Sequence, residues 1–420
     1  MTDQTAESDQ LQAMYEALPY PARDPEDERK RLVRTGLDFL PKISHYCHGG
    51  RWQPDQPWRA LVAGGGTGDS LIFLAEQLRG SPAELVYLDF SKTSLDIARR
   101  RAEIRGLENI SFLQASILEI DKLDLAPFDY INCSGVLHHL PDPLAGLVKL
   151  KQLLTPTGAL GLMVYARYGR TAVYQVQDLM RLLAGTADQA TKIALTRKML
   201  DALPDSNWFK RSPDLHTDHL QHGDAGLADL FLNPIDRAYS IPELYAWLAE
   251  AELHLIEFAD HKLAYDPALY VTDPTLLRAI QQKQKVEQQA IAELISGAII
   301  KHTFYAAAQP RPPARLDNQT VPVAAFELNL PRLVQTISQA ARGASVPIEK
   351  PGARINLPVN PISVGFFKYL DQGKTVADLA AILQQSPGLR AASAAWVKDQ
   401  VLALCELLAR AEFIYYRNGR

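Results

Sequence analysis

Residues Arg59 to Ser70 read R-A-L-V-A-G-G-G-T-G-D-S, and no other stretch of the chain constrains its fold as strongly. An apolar run, Ala60-Leu61-Val62-Ala63, meets a glycine-dense turn: Gly64, Gly65, Gly66 and Gly68, interrupted only by Thr67. A helical pattern follows at once through Leu71, Ile72, Leu74, Ala75 and Leu78. This order predicts a buried parallel strand, a tight loop and a helix N-terminus. Glycine serves where backbone must turn with positive φ or let a ligand approach closely. In open α/β sheets such a junction is where nucleotides bind.

A second apolar strand, Glu84 to Phe90 (E-L-V-Y-L-D-F), ends at Asp89. It lies about twenty residues beyond the loop, where a carboxylate accepts hydrogen bonds from ribose hydroxyls. The dinucleotide pattern is G-x-G-x-x-G, but Gly64, Gly66 and Gly68 fall as G-x-G-x-G. The altered spacing suits a ligand with no pyrophosphate to seat on the helix. S-adenosylmethionine, an adenosine with a cationic amino-acid tail, is such a ligand.

Four further stretches carry a resemblance. Asp89-Phe90-Ser91, with Leu95, Ile97 and Ala98, looks like a second strand and its helix; Phe112-Leu113-Gln114-Ala115-Ser116 looks like a third strand and loop. Phe128 to Leu140, which includes Ser134-Gly135 and His138-His139, looks like a fourth strand and its following loop; Leu153 to Leu160 leads into a fifth. From about residue 59 to 166 the chain thus resembles the class I S-adenosylmethionine-dependent methyltransferases. The family often carries an acid toward the adenine amine, where this chain has Ser116. The resemblance implies a cofactor site made by Gly64, Gly65, Gly66, Thr67, Gly68, Asp89, Phe90, Ser91, Ala115, Ser116, Ser134 and Gly135.

The 420 residues allow two or three domains, and 47% hydrophobic content can fill a sizeable core. No apolar run approaches the ~18–20 residues of a membrane span. The acidic, polar start M-T-D-Q-T-A-E-S-D-Q does not read as a secretory signal. Cys47, Cys133 and Cys405 are far apart and odd in number, which speaks against a disulfide framework and for the cytoplasm. A net charge of −4 gives no general pull toward nucleic acid.

Before the sheet, Leu11 to Leu18 reads as a helix stopped by the two prolines around Tyr20. Some similar bacterial methyltransferases carry a comparable Y-E-x-x-P-Y-P stretch as a lid. Tyr15 and Tyr20 are expected to cover the cofactor or close the pocket on that reading, and a terminal arm packed on the sheet is the equal alternative. Asp24 to Arg34 reads as a charge-rich, solvated helix. His45, Tyr46, Cys47 and His48 lack the spacing of a zinc site.

The fifth strand is expected over Ala159–Tyr165, with Glu252–Phe258 and Lys301–Ala307 as the sixth and an antiparallel seventh. About ninety residues separate strands five and six, far more than an ordinary crossover. Val173–Leu183 and Lys192–Leu203 read as amphipathic helices of a cap over the carboxyl ends of the strands, where ligands bind. Its ends supply candidate substrate contacts: Tyr165, Arg167, Tyr168 and Arg170, then His222, Asp224 and Tyr239. His216, His219 and His222 recur every three residues, but Pro213 and Gly223 favour a polar loop over a metal site, and the loop is expected to continue from Asp224 to Leu232. Ser240-Ile241-Pro242-Glu243 reads as a capped helix start.

Gln309 to Pro322 is rich in proline and reads as a linker. Beyond it come an expected strand (Val323–Leu330), helices (Leu333–Ala341, Ile362–Leu370, Val376–Leu383, Trp396–Ala411) and a closing strand at Phe413–Tyr416. Helix-turn-helix-strand order suggests a small winged-helix-like module. It loosely resembles a regulatory domain behind some bacterial protein methyltransferases, including lysine methyltransferases that act on outer-membrane proteins. Ala377–Leu383 offers few base-reading side chains, so protein contact, dimerisation or substrate presentation is favoured over DNA.

The expected fold class is therefore α/β: a Rossmann-like class I methyltransferase sheet with a helical cap and a small C-terminal winged-helix-like α+β domain. The expected divisions are an arm (1–58), the sheet domain (59–166 and 252–308), the cap (167–251), a linker (309–322) and the accessory domain (323–420). Methyl transfer is an in-line displacement, so the protein chiefly positions its reactants. The resemblance puts His138 and His139 beside the methyl group, where either is a candidate base. The acceptor is expected to be a protein side chain, with N-methylation favoured. A small-molecule acceptor, or a regulator that binds adenosylmethionine without turnover, is the alternative. No metal or membrane partner is expected, nucleic acid is disfavoured, and a homodimer is left open.

Overall fold

A computed structural model describes residues 2–341 and 343–418. Among these residues the main sheet has eight strands: β1 (Trp58–Ala63), β2 (Ala83–Asp89), β3 (Ile110–Gln114), β4 (Phe128–Ser134), β5 (Leu154–Ala166), β6 (Ala238–Tyr239), β7 (His254–Phe258) and β8 (Lys301–Ala307). Their order is β3-β2-β1-β4-β5-β8-β7, with the two-residue β6 paired to the end of β5. Strands β1 to β5 run parallel, whereas β8 is antiparallel to both β5 and β7.

The near-continuous apolar strands follow from burial on both faces. Along β1, Ala60 and Val62 enter one core layer and Leu61 and Ala63 the other. The period of two sends successive side chains to opposite faces. From β1 the chain moves outward to β2 and β3, then returns to place β4 on the other side of β1. The crevice at that reversal is the expected ligand position of a doubly wound sheet.

An N-terminal helix α1 (Thr2–Ala17) is followed by α2 (Leu40–Cys47), α3 (Asp69–Gln77), α4 (Lys92–Arg105) and α5 (Pro143–Gln152) around the sheet. Local chemistry sets their limits. Ser91 caps α4 by accepting from Ser94 N, and Gly106 ends it in the left-handed region. Asp142 caps α5 ahead of Pro143.

The insertion after β5 holds α6 (Thr171–Ala184), α7 (Gln189–Ala202) and the short α8 (Trp208–Arg211), α9 (Asp218–Gln221) and α10 (Gly223–Phe231). Val173, Val176 and Met180 pack against Phe209, Leu227, Leu230 and Phe231, giving the cap its own core. The expected loop over Asp224–Leu232 is thus a helix. Its apolar residues Leu227, Leu230 and Phe231 bury against α6 and α8, which composition alone does not reveal. Then come α11 (Ile241–Glu250), α12 (Pro274–Gln281) and α13 (Lys285–Ser296). Glu243 accepts from the Ser240 backbone N–H at 2.8 Å, as the predicted helix start requires.

Two other expectations need correction. Asp24–Arg34 is not a solvated helix: only Pro25–Arg29 forms a 3₁₀ turn, and Glu28 is buried between Arg101 and Arg105. Residues 309–322 are not a free linker. Arg311 donates to the carbonyls of Cys47 and Thr157, and Ala314 N donates to His45 O at 2.8 Å.

The C-terminal module contains β9 (Thr320–Ala324), α14 (Leu330–Gln339), the hairpin β10 (Ser345–Lys350) and β11 (Ala353–Pro358), α15 (Pro361–Tyr369), α16 (Val376–Gln384), α17 (Ala394–Arg410) and β12 (Ile414–Asn418). β9 is shorter and earlier than expected, pairing antiparallel with β12; the hairpin is an unforeseen element. Thr375 caps α16 as the sequence indicates. Tyr415 lies in the core layer shared with Tyr46 and Tyr305, so the module is packed onto the sheet domain.

Candidate active site

A cavity of about 450 Å³ opens over the carboxyl ends of the central strands. That is within the usual size of small-molecule sites. Gly64, Gly65 and Gly66 form one wall; Asp89 and Phe90 a second; Ala115 and Ser116 a third; Ser134 and Gly135 a fourth. Tyr20, His139, Tyr165, Arg170 and His222 complete the set of expected residues that line it.

Asp89 organises the glycine loop. It accepts from Gly66 N at 2.7 Å and from Ser91 N at 2.8 Å. Burial pushes its carboxyl up to about 6, against these backbone donors. A carboxylate offers about four acceptor positions, so two remain for a ligand's hydroxyls. Ser116 uses its hydroxyl to accept from Leu118 N at 3.2 Å and begins the turn that carries Ile117 and Leu118 to the cavity wall.

Arm and loop are fastened together. Glu16 accepts from Lys92 N and Thr93 N at the start of α4. Thr67 donates its hydroxyl to Pro21 O at 2.7 Å, and Arg23 pairs with Asp69 at 2.6 Å. Arg101, 1% exposed, donates to Thr67 O and to Asp69 while its Nε reaches Glu28. The arm is therefore both packed on the domain and part of the cavity wall, through Leu11, Tyr15 and Tyr20.

The end of the cavity above β5 has a different character. Asp229 of α10 accepts Tyr15 OH at 2.7 Å and Tyr165 OH at 3.2 Å. Tyr20 OH donates to Asp218 at 3.2 Å, and the Tyr20 ring meets His222 edge-on. Arg170 lies 3.4 Å over the Tyr165 ring and pairs with Asp236 at 2.8 Å. Tyr174 and Gln177 also donate to Asp236, which locks that guanidinium.

Several expected site residues lie elsewhere. His138 does not line the cavity: it is fully buried behind Tyr165, ring centroids 3.9 Å apart, and burial holds its imidazole well below the usual range. It is therefore neutral and shielded, whereas His139 reaches the wall and holds Ile235 O at 2.6 Å through Nδ1. Thr67, Gly68 and Ser91 support the loop from behind. Arg167 turns out to Glu243 and Asp224 to Arg197, both on the surface. Tyr168 is exposed, and Tyr239 is buried against Trp247. The three cap histidines diverge: His216 Nε2 meets Gly169 O, His219 packs on Phe209 and Phe231, and His222 faces Tyr20.

Sequence reading did not single out Asp229, Asp218 or Asn132 as wall residues. Asp229 sits among the apolar residues of a helix read as loop, and only a buried-acid signal at helical spacing marks it.

The site fits S-adenosylmethionine. Asp89 presents free carboxylate lone pairs, Phe90, Ile117 and Leu118 give an apolar slot, and the Gly64 and Gly135 turns leave no side chain in the way. The chain belongs to the class I S-adenosylmethionine-dependent methyltransferases. A methyltransferase-domain family model matches residues 61–160. An uncharacterized protein of Synechococcus sp. is 30% identical over 305 residues, 72% of either chain. The tRNA 5-carboxymethoxyuridine methyltransferase of Escherichia coli K12 is 34% identical over 115 residues, 27% of this chain and 42% of that enzyme. The chain thus spans less than half of that relative's length. Among solved structures, PKMT2 from Rickettsia typhi bound to AdoHcy shares the fold with a TM-score of 0.63, at 14% identity over 91% of this chain and 76% of that one.

Proposed function

We propose that this methyltransferase modifies an amine nitrogen of a protein side chain. The observation that carries the reading is the wall above β5: Asp229 and Asp218, interleaved with the rings of Tyr15, Tyr20 and Tyr165. Carboxylates accept strongly from ammonium groups, and aromatic faces attract cations. Arg170 also lines this end, and its charge is committed to Asp236.

S-adenosylmethionine, when bound, supplies a methyl group already activated by sulfonium charge. Asp89 and the glycine loop hold the donor. The arm and cap exclude water and narrow the approach to the end above β5. Arg170, stacked on Tyr165, fixes the ring that floors that end. Positioning of this kind accounts for most of what a methyl transfer needs. The C-terminal module, residues 323–420, is read as an accessory part that presents a protein substrate.

The test is transfer of radiolabelled methyl into a lysate split into protein, RNA and small-molecule fractions. Label is expected in protein, and acid hydrolysis should release N-methylated basic amino acids. Label confined to RNA or to small molecules overturns the reading.

A further inference from the structure

Asp229 is a buried carboxylate with no direct ion pair among the described residues. It is 4% exposed, yet among the described residues no lysine, arginine or histidine forms an ion pair with it. The obvious candidate, Arg170, is bound to Asp236 instead. Leu11 and Met14 of α1 pack beside it against Ala228, and Tyr15 and Tyr165 donate one hydrogen bond to each oxygen. An ionised carboxylate in such surroundings is costly unless paired. Each oxygen retains a lone pair, and the residue forms part of the cavity wall. The site is thus half-built: its donors are neutral hydroxyls, and the missing partner is a cation entering from the cavity.

We infer that Asp229 receives the acceptor: it pairs with the incoming ammonium and takes one of its protons before methyl transfer. The inference rests on the amine reading above. An ammonium has no lone pair and cannot attack. One N–H proton passes to an Asp229 oxygen, and the freed nitrogen pair forms the N–C bond. The C–S bond breaks with its electron pair left on sulfur. The product leaves as a methylated ammonium, and the proton leaves Asp229 to water.

The surroundings suit such an exchange. Burial raises the Asp229 carboxyl, Asp218 raises it further, and His139, Arg170 and the Tyr15 hydrogen bond oppose the rise. The groups facing it are Tyr15 from α1, Tyr20 from the arm, His139 after β4, Tyr165 from β5, Arg170 before α6, Asp218 from α9 and His222 between α9 and α10. A base with a raised affinity for protons is better matched to an amine than a free carboxylate.

The experiment measures radiolabel transfer to the lysate protein fraction against pH, with adenosylhomocysteine calorimetry as a control for the donor site. Asp229→Asn is expected to slow transfer at neutral pH by about 100-fold, the usual scale of a lost base. The deficit should shrink as pH approaches the ordinary lysine value of about 10.4, where the acceptor loses its proton unaided. Wild-type rates at neutral pH, or a loss equal at every pH with donor binding intact, overturn the inference. If Asp229→Asn no longer binds adenosylhomocysteine, the Tyr15→Phe, Tyr165→Phe pair carries the test. Removing both donors must move the acid limb of the profile to higher pH, and an unmoved limb overturns the inference. Failure of the amine reading shows separately, as wild-type label on something other than nitrogen.

Discussion

The carboxylate of Asp89, at the end of β2, accepts the backbone N–H of Gly66 at 2.7 Å. One side chain thus holds the glycine loop in shape and faces the cavity. Asp89→Ala should lose both functions. Binding of adenosylhomocysteine, read by calorimetry, is expected to weaken at least about tenfold, since a charge-assisted bond contributes on the order of 1.5–3 kcal/mol. Tight, unaltered binding removes Asp89 from the site.

The pH dependence has two opposite signs. Burial raises Asp89 and Asp38 each to about 6. Free aspartate titrates near about 3.9, so between these values the native state holds more protons than the unfolded chain. Stability of the ligand-free protein should therefore fall as pH rises through this window, visible in thermal melts. Donor binding needs the ionised Asp89 as acceptor, so it should weaken as pH falls below about 6, by up to about tenfold per unit. Asp89→Asn should flatten the binding trend.

Gly66 has φ of +51°, and a Cβ there would sit 2.7 Å from the Tyr20 carbonyl oxygen. Gly66→Ala is therefore strained twice, in its own backbone and against the arm. It should raise the KM for the donor severalfold and increase protease cutting near residue 20, with a smaller change in Tm. An unchanged KM means that the arm does not close on the loop.

Arg101 joins Glu28 of the arm, Asp69 of α3 and the carbonyl of Thr67. Arg101→Met keeps volume and deletes the charge. Glu28 keeps Arg105 and Asp69 keeps Arg23, which softens the loss. Urea unfolding should show a destabilisation of about 3 kcal/mol, the low end for breaking a buried ion pair. A change under about 1 kcal/mol makes the network dispensable.

Lys42 of α2 is buried between Asp260, at 2.6 Å, and Glu412 of the C-terminal module, at 3.5 Å. Tyr46 also donates to Glu412, at 3.1 Å. Lys42→Met leaves the buried Glu412 with Lys350 alone, at 3.9 Å, and takes the nearest cation from the half-buried Asp260, so it should cost about 3 kcal/mol in urea unfolding. Truncation after residue 308 should yield an unstable, aggregating sheet domain, because α2 loses its cover. A soluble truncated chain with intact donor binding would show the module to be separable.

The extent to which the sequence foretells this molecule varies by element. Strands β1, β2 and β4, the glycine loop, Asp89 and the caps at Ser240 and Thr375 are local patterns, each fixed by neighbours a few residues away. Signals fade where partners are distant. Asp224 to Leu232 has too few residues to show a helical period, yet tertiary packing on α6 makes it α10. Glu28 reads as one more surface charge, and only the fold brings Arg101, 73 residues away, to meet it.

The same division separates donor from acceptor. The sequence by itself determined the candidate donor site, because a strand, a tight turn and a helix N-terminus form one continuous segment. Only the tertiary structure decided the end of the cavity proposed to receive the acceptor. Tyr15, Tyr165 and Asp229 come from an arm, a strand and an inserted helix, and their hydroxyls and carboxylate meet through burial that no local pattern encodes. It also moved His138 behind Tyr165, since a ring beside the cavity in sequence order need not face it once β5 and the cap have packed.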